Sequence, residues 1–443
     1  MMATMAFIMC FLVFMLATLG CAEKNLYEEI NVLKEFEDWE AEEGDGVEVL
    51  DLPSFTKGRG NKVLVNVDSF GAVGDGVADD TKAFSDAWKQ ACSIPRSVLL
   101  VPSEGRYLVN ATRFKGPCAG NLIVQIDGTI VAPDEPKNWD PKNPRVWLVF
   151  SNLTAVSFQG QGVIDGSGSK WWEASCKRNK SNPCKGAPTA FTIDLSSAIK
   201  VKGLTIQNSQ QMHFTISRSD SVRITGVQVS SPEDSPNTDG IHITESTNVI
   251  LQNSKIGTGD DCISIVNASS SIRMKNIYCG PGHGISIGSL GKDNSVAVVT
   301  KVGGSGYVRA IRFQNVMMED VSNPIIIDQF YCDSPTTCQN QTSAVEISEV
   351  VYRNITGTSK SQKAMQFACS NSVPCTNIVL NNINLETRDG TAEVYCNSAT
   401  GIGYGYIHPS AECLDSSDKE IEQETRAELA EENEELRLIH TEL

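Results

Sequence analysis

The chain has 443 residues, of which 21% are charged and 7% aromatic, and its formal net charge is −17. The charge sits in the flanks: residues 23–52 carry 12 acids and 2 bases, and residues 415–443 carry 11 acids and 3 bases, which leaves the body near +1. This balance excludes neither an anionic substrate nor a large core, and it shows no basic, aromatic-interleaved stripe for nucleic acid.

Residues 1–22 are uncharged and apolar until small residues near Gly20 and Ala22, and read as a secretory signal peptide without the usual basic start. A membrane anchor is the competing reading, but the run is barely long enough to span. No later stretch is apolar enough, so no membrane association is expected once the signal is removed. Residues 23–62 form an acidic leader or pro-segment, with Leu26, Ile30, Leu33 and Phe36 at helical spacing. A short helix capping the following domain is the alternative. From Val63 the pattern turns to alternation, through Val65 and Val67. After a glycine-rich turn at residues 71–76, Asp79-Asp80-Thr81 predicts a capped helix that runs through Trp88 and Ala91. A strand at residues 98–101 stops at Pro102.

Beyond Asn121 one unit recurs: two apolar alternations around a Gly or Asn. The anchors are Gly203, Gly226, Asn253, Asn276, Asn315, Asn354 and Asn382, at spacings of 23, 27, 23, 39, 39 and 28. A beat near 23 with insertions predicts a parallel β-helix over residues 63–414, in which each coil buries its apolar face only by stacking. A β-sandwich needs hairpin signals every 8–12 residues, and few aromatics argue against propeller blades. Residues 415–443 are Glu-rich with helical leucine spacing, and read as a solvated helix or disordered tail.

Fourteen cysteines are present, twelve of them after the signal. An even number in a secreted chain predicts disulfides: Cys176/Cys184, Cys332/Cys338 and Cys369/Cys375 are close pairs, Cys262/Cys279 could tie adjacent coils, Cys396/Cys413 could staple the C-terminal end, and Cys92/Cys118 remain. Zinc is less attractive, because no Cys-x-x-Cys occurs. Glycosylation sequons lie at Asn110, Asn152, Asn179, Asn267, Asn340 and Asn354.

Three polar motifs share one phase of the repeat: Asn237-Thr238-Asp239-Gly240, Gly259-Asp260-Asp261-Cys262 and Gly282-His283-Gly284. Asp239 to Asp261 is 22 residues, and Asp261 to His283 is again 22. Stacked strands lie about 4.8 Å apart, so Asp239, Asp261 and His283 are expected side by side on three coils. Clustered aspartates repel, which leaves one protonated beside ionised neighbours. That is the equipment for glycosidic hydrolysis, with one acid on the leaving oxygen and another carboxylate on water. Glycines such as Gly282 let a polymer approach the backbone closely. Taken singly, each motif reads as an ordinary turn; the shared phase is what argues for a site. Calcium on clustered aspartates is a second reading, made less attractive by the histidine in the row.

At these residues the chain resembles the polygalacturonases, the pectin-degrading glycoside hydrolases of family 28, from about Val65 to Cys413. Phe70-Gly71-Ala72-Val73-Gly74-Asp75-Gly76, Cys279-Gly280-Pro281 and Ile285-Ser286-Ile287-Gly288 add to the likeness, the last two to its plant branch. The resemblance implies a secreted, monomeric, right-handed parallel β-helix that needs no cofactor or metal. It would cleave α-1,4-galacturonosyl linkages of pectin with inversion in the cell wall. It makes Asp260 the general acid, Asp239 and Asp261 the activators of water, His283 the residue that tunes the acid, and Asn237 a shaper of the site. One departure stands out. The family's Arg-x-Lys motif, which holds substrate carboxylates, is missing between His283 and Asn315, as if about one coil were absent. Lys301 and Arg309 are the candidates to replace it. A pectin-binding β-helix with little or no turnover is therefore the alternative reading.

Overall fold

The computed structural model describes residues 62–139, 144–288, 306–330, 345–388 and 390–414. The proposed signal, leader, tail, Lys301 and the Cys332/Cys338 pair lie outside them. Among the described residues the strands form two parallel sheets of 18 and 10 strands, wound as a parallel β-helix. The smaller sheet takes one strand from each coil and carries the candidate site. Its central members are Phe214–Ser217, Ile241–Thr244, Asp261–Ile265, Gly284–Ile287, Ile325–Asp328 and Lys363–Ala368.

The core follows from alternation. One inward column runs Phe191, Phe214, Ile241, Ile263, Ile285, Ile325 and Met365, each paired in register with the next. All seven are buried. Full burial of such a side chain contributes about 1.5–3 kcal/mol, so the column alone gives strong cohesion between coils. At the start of the solenoid, helix α1 (Thr81–Ser93) closes the exposed end. Its Ala83, Phe84, Ala87, Trp88, Ala91 and Cys92 are buried at helical spacing. Trp88 meets Phe114 and Phe150 at ring distances of 5.2 and 5.4 Å.

The expected cap of this helix needs correcting. Asp79 Oδ1 accepts from the Thr81 amide at 3.0 Å. Asp80, almost fully buried, makes no side-chain cap bond. Its carboxylate accepts from the amides of Val73 (2.7 Å) and Gly74 (3.3 Å) instead, tying the glycine-rich turn to the helix start.

The Gly/Asn anchors of the repeat are the corners of the coils. Gly203, Gly226, Asn253, Asn276, Asn315, Asn354 and Asn382 all have φ between 51° and 76°. This is the left-handed region, which glycine enters freely and asparagine tolerates best among the others. From Asn253 onward the corner amides form a ladder. Asn276 Nδ2 donates to Asn253 Oδ1 (2.9 Å), Asn315 to Asn276 (3.0 Å), Asn354 to Asn315 (3.0 Å) and Asn382 to Asn354 (3.3 Å). The two spacings of 39 are therefore single coils with long insertions.

The expected pairs Cys92–Cys118, Cys176–Cys184, Cys262–Cys279, Cys369–Cys375 and Cys396–Cys413 are all formed. No described helix is long and apolar enough to cross a membrane.

Candidate active site

The three motifs meet at the entrances to consecutive strands of the smaller sheet. Ile241 pairs with Ile263 and Ile263 with Ile285, and at the strand entrance the register shifts so that Asp261 pairs with Gly284, the neighbour of His283; Asp239, Asp261 and His283 thus lie on three successive coils at the same end of the sheet. Backbone bonds lock the row: the Gly240 amide donates to the Asp261 carbonyl, and the His283 amide to the Asp260 carbonyl, both at 2.8 Å. Gly282 is buried at φ 153°, and a Cβ there would lie 2.8 Å from the Asp260 carbonyl oxygen. Its lack of a side chain lets the His283 coil close on the Asp260 coil.

Asp260 is drawn into this row from the side. Its Oδ1 faces His283 Nδ1 at 3.0 Å and also accepts from the Asp261 amide at 2.9 Å. Its Oδ2 accepts from Asn237 Nδ2 at 3.4 Å. The structure therefore assembles Asn237, Asp239, Asp260, Asp261 and His283 at one place; the spacing predicts Asp239, Asp261 and His283 as neighbours, and the resemblance adds Asp260 and Asn237.

The charge pattern follows from burial and crowding. Asp239 is buried, and its carboxyl is pushed well above the usual carboxylate range by desolvation and then by the charges of Asp260 and Asp261. Desolvation and the Asp260 charge push Asp261 up to about 7. The hydrogen bond to Asp260 raises the His283 imidazole, against the opposing effect of burial. Ligand atoms of Asp260, Asp261 and His283 all lie within 4.8 Å of one another. Two carboxylates at that separation repel by roughly 3.5 kcal/mol at an effective dielectric near 20. The cluster thus retains protons into the neutral range. The same three residues offer a ligand set that a divalent cation could use.

Sequence reasoning missed the supports of the row. Ser264 Oγ donates to Asp239 Oδ2 at 2.8 Å, and Ser286 Oγ donates to Asp261 Oδ2. Both serines alternate with the inward isoleucines and share a register. His242 Nδ1 lies 2.8 Å from Ser264 Oγ. A hydroxyl has one hydrogen, so when Ser264 gives it to Asp239, His242 Nδ1 is the donor to Ser264. His213 is fully buried and its Nδ1 lies 3.0 Å from the Asp239 carbonyl. Burial pushes both imidazoles down to about 4, so both are neutral supports. The outward alternation of Ser264 and Ser286 beside the motifs was the available signal.

After His283, where the sequence lacks Arg-x-Lys, the strand pairing is continuous. Ile285 pairs directly with Ile325 and Ile287 with Ile327, while in the larger sheet Cys279 pairs with Met318. Among the described residues no strand intervenes, and the adjoining strand, Ile325–Asp328, carries no Arg or Lys. Arg309 is not brought to the row: it lies in the larger sheet, in register with Ser270 and Ser348, with its guanidinium 4.8 Å from the Tyr307 ring centre.

Comparison with known proteins agrees with this geometry. Residues 92–403 match Glycosyl hydrolases family 28. The chain is 47% identical over 346 residues to a polygalacturonase of Persea americana, covering 74% of each chain. It is 45% identical over 367 residues to one of Malus domestica, covering 78% of each. Among solved structures, the endo-xylogalacturonan hydrolase of Aspergillus tubingensis superposes with a TM-score of 0.59 at 16% identity, over 78% of this chain and 100% of that one. The polygalacturonase of Erwinia carotovora gives 0.56 at 17%, over 80% and 100%. These two likenesses speak for the fold, and the family match together with the plant relatives speaks for kinship: the chain is a glycoside hydrolase that belongs to family 28.

Proposed function

We propose that the chain hydrolyses α-1,4-galacturonosyl linkages of de-esterified pectin by an inverting acid/base mechanism. The observation that carries this reading is the row of Asp239, Asp260 and Asp261 with His283 on consecutive coils, with protons held by burial and mutual repulsion. Asp260 acts as the general acid, and His283 Nδ1, 3.0 Å from its Oδ1, orients the acid's proton. Delivery of that proton to the glycosidic oxygen lets the bond to the anomeric carbon break. A water on the opposite face, hydrogen-bonded to Asp239 and Asp261, attacks that carbon and gives its proton to whichever of the two is ionised. Asn237 steadies Asp260 from its other oxygen. The uncharged, apolar start of the chain and its disulfides support secretion into an oxidising, extracellular setting such as the cell wall.

The test is NMR of polygalacturonate during cleavage by purified protein. New reducing ends should appear first as the β-anomer. Retained configuration at the new ends would remove the inverting mechanism. Unsaturated products that vanish with a chelator would replace hydrolysis by metal-assisted elimination at Asp260, Asp261 and His283.

One observation favours a second reading, a pectin-binding β-helix with little turnover. The strand beside Gly284–Ile287 brings no cation to the row. Oligogalacturonate binding without product release would support it, and efficient cleavage would dismiss it.

A further inference from the structure

The strand stacking that assembles the carboxylates continues past His283. Ile285 pairs with Ile325, and Ile325 with Met365. Two positions earlier on these strands stand His283, Asn323 and Lys363. At the strand entrance Gly282 pairs with Val321 and the Asn323 amide donates to the His283 carbonyl at 2.8 Å, so the two coils stay hydrogen-bonded there with the register shifted by one residue. Lys363 is thus two strand spacings beyond His283, about 10 Å along the solenoid.

The face on which its ammonium lies is settled by a second row. Thr215, His242, Ser264, Ser286, Ile326, Gln366 and Tyr395 pair in register along the outer face of the same sheet. Ser264 and Ser286 on that face hold Asp239 and Asp261, so it is the face the catalytic cluster occupies. Tyr395 ends the row with 43% of its surface exposed. Lys363 Nζ lies over its ring, 5.2 Å from the centre. Lys363 is exposed and makes no ion pair with a described residue, although exposed Glu393 is next to it in register. The nearby Lys360 is already engaged, by Glu233 of the loop that leads to Asn237.

We infer that Lys363, held over Tyr395, is a subsite for the carboxylate of a uronate residue beyond the scissile bond. This rests on the pectin reading above. A homogalacturonan carries a carboxylate on every sugar, and a cation held on an exposed aromatic ring offers that group charge beside a flat apolar surface for the sugar. The subsite supplies, from two coils away, part of what an Arg-x-Lys coil beside His283 would supply.

The experiment is calorimetric titration of a de-esterified oligogalacturonate into the full chain carrying Asp260→Asn, which suppresses turnover. Adding Lys363→Ala is expected to weaken binding about five- to tenfold. Lys363→Arg should restore most of it, and a fully methyl-esterified oligomer should bind all three forms alike. Equal affinity for the acidic oligomer with and without Lys363 would overturn the subsite and leave the hydrolysis reading standing. Failure of every form to bind the acidic oligomer would overturn both.

Discussion

Two columns of side chains climb the same coils with opposite outcomes. At one corner Asn276, Asn315 and Asn354 each donate to the neighbour before and accept from the neighbour after, with Asn253 accepting at one end and Asn382 donating at the other. At the other, Asp239, Asp260 and Asp261 stack groups that can only accept when ionised. Parallel stacking multiplies whatever chemistry it is given. Amides satisfy one another; carboxylates repel unless a hydroxyl, an imidazole or a proton intervenes. The site has all three, through Ser264, Ser286, His283 and the raised carboxyls of Asp239 and Asp261. The ladder holds the coils together, and the carboxylate row keeps protons available for chemistry.

The largest contrast should come from Asp260→Asn. Removing a general acid should lower kcat on polygalacturonate by about 10²–10⁴ while leaving the circular dichroism spectrum and melting unchanged or improved. Unchanged turnover in this variant would take the acid role from Asp260.

Stability should report the same frustration with a definite sign. Asp239 and Asp261 bind protons more tightly in the folded chain than in the unfolded one. Their contribution is full below the unfolded carboxylate value near 4 and is lost as pH rises through about 7. In urea unfolding, Asp261→Asn should therefore match wild type near pH 3.5 and exceed it at pH 7.5, by on the order of 2–4 kcal/mol. Parallel curves across that range would mean the carboxylates do not oppose one another.

Breaking the ladder should cost less. Asn315 bonds to both neighbours and sits at φ 53°. Asn315→Ala should destabilise by roughly 1–3 kcal/mol through lost hydrogen bonds and left-handed strain, and Asn315→Gly by less, since glycine carries no such strain. Equal losses in chemical denaturation would assign the whole effect to the amides. At Asn354, a glycan on Nδ2 would displace the bond to Asn315, so that sequon is expected to stay unmodified, which glycopeptide mass spectrometry can check.

Much of this was legible in the sequence because β-helix coils convert spacing directly into neighbourhood. The 22-residue beat placed Asp239, Asp261 and His283 in one row, and the Gly/Asn anchors marked the corners. Proximity in the chain pointed to Cys176–Cys184 and Cys369–Cys375, the coil repeat to Cys262–Cys279, and Cys92–Cys118 was the pair left over. The reading stopped where insertions broke the beat. With a spacing of 39 after Asn276, the continuation of the row to Asn323 and Lys363 is invisible until strand pairing supplies the register. Ser264 and Ser286 were hidden for another reason: a serine between isoleucines looks like any outward strand residue, and only the fold shows which carboxylate it meets. Asp80 looked like a helix cap, and its carboxylate serves a loop that is distant from the cap amides only in sequence.

The central claim is that stacked carboxylates hold a proton into the neutral range. Carbon-detected NMR of aspartate carboxyl groups across pH tests it most directly. A carboxyl resonance with a midpoint near 7 should be present and should disappear in Asp261→Asn. A spectrum in which every aspartate has finished titrating by about pH 5, within the ordinary carboxylate range, would contradict it.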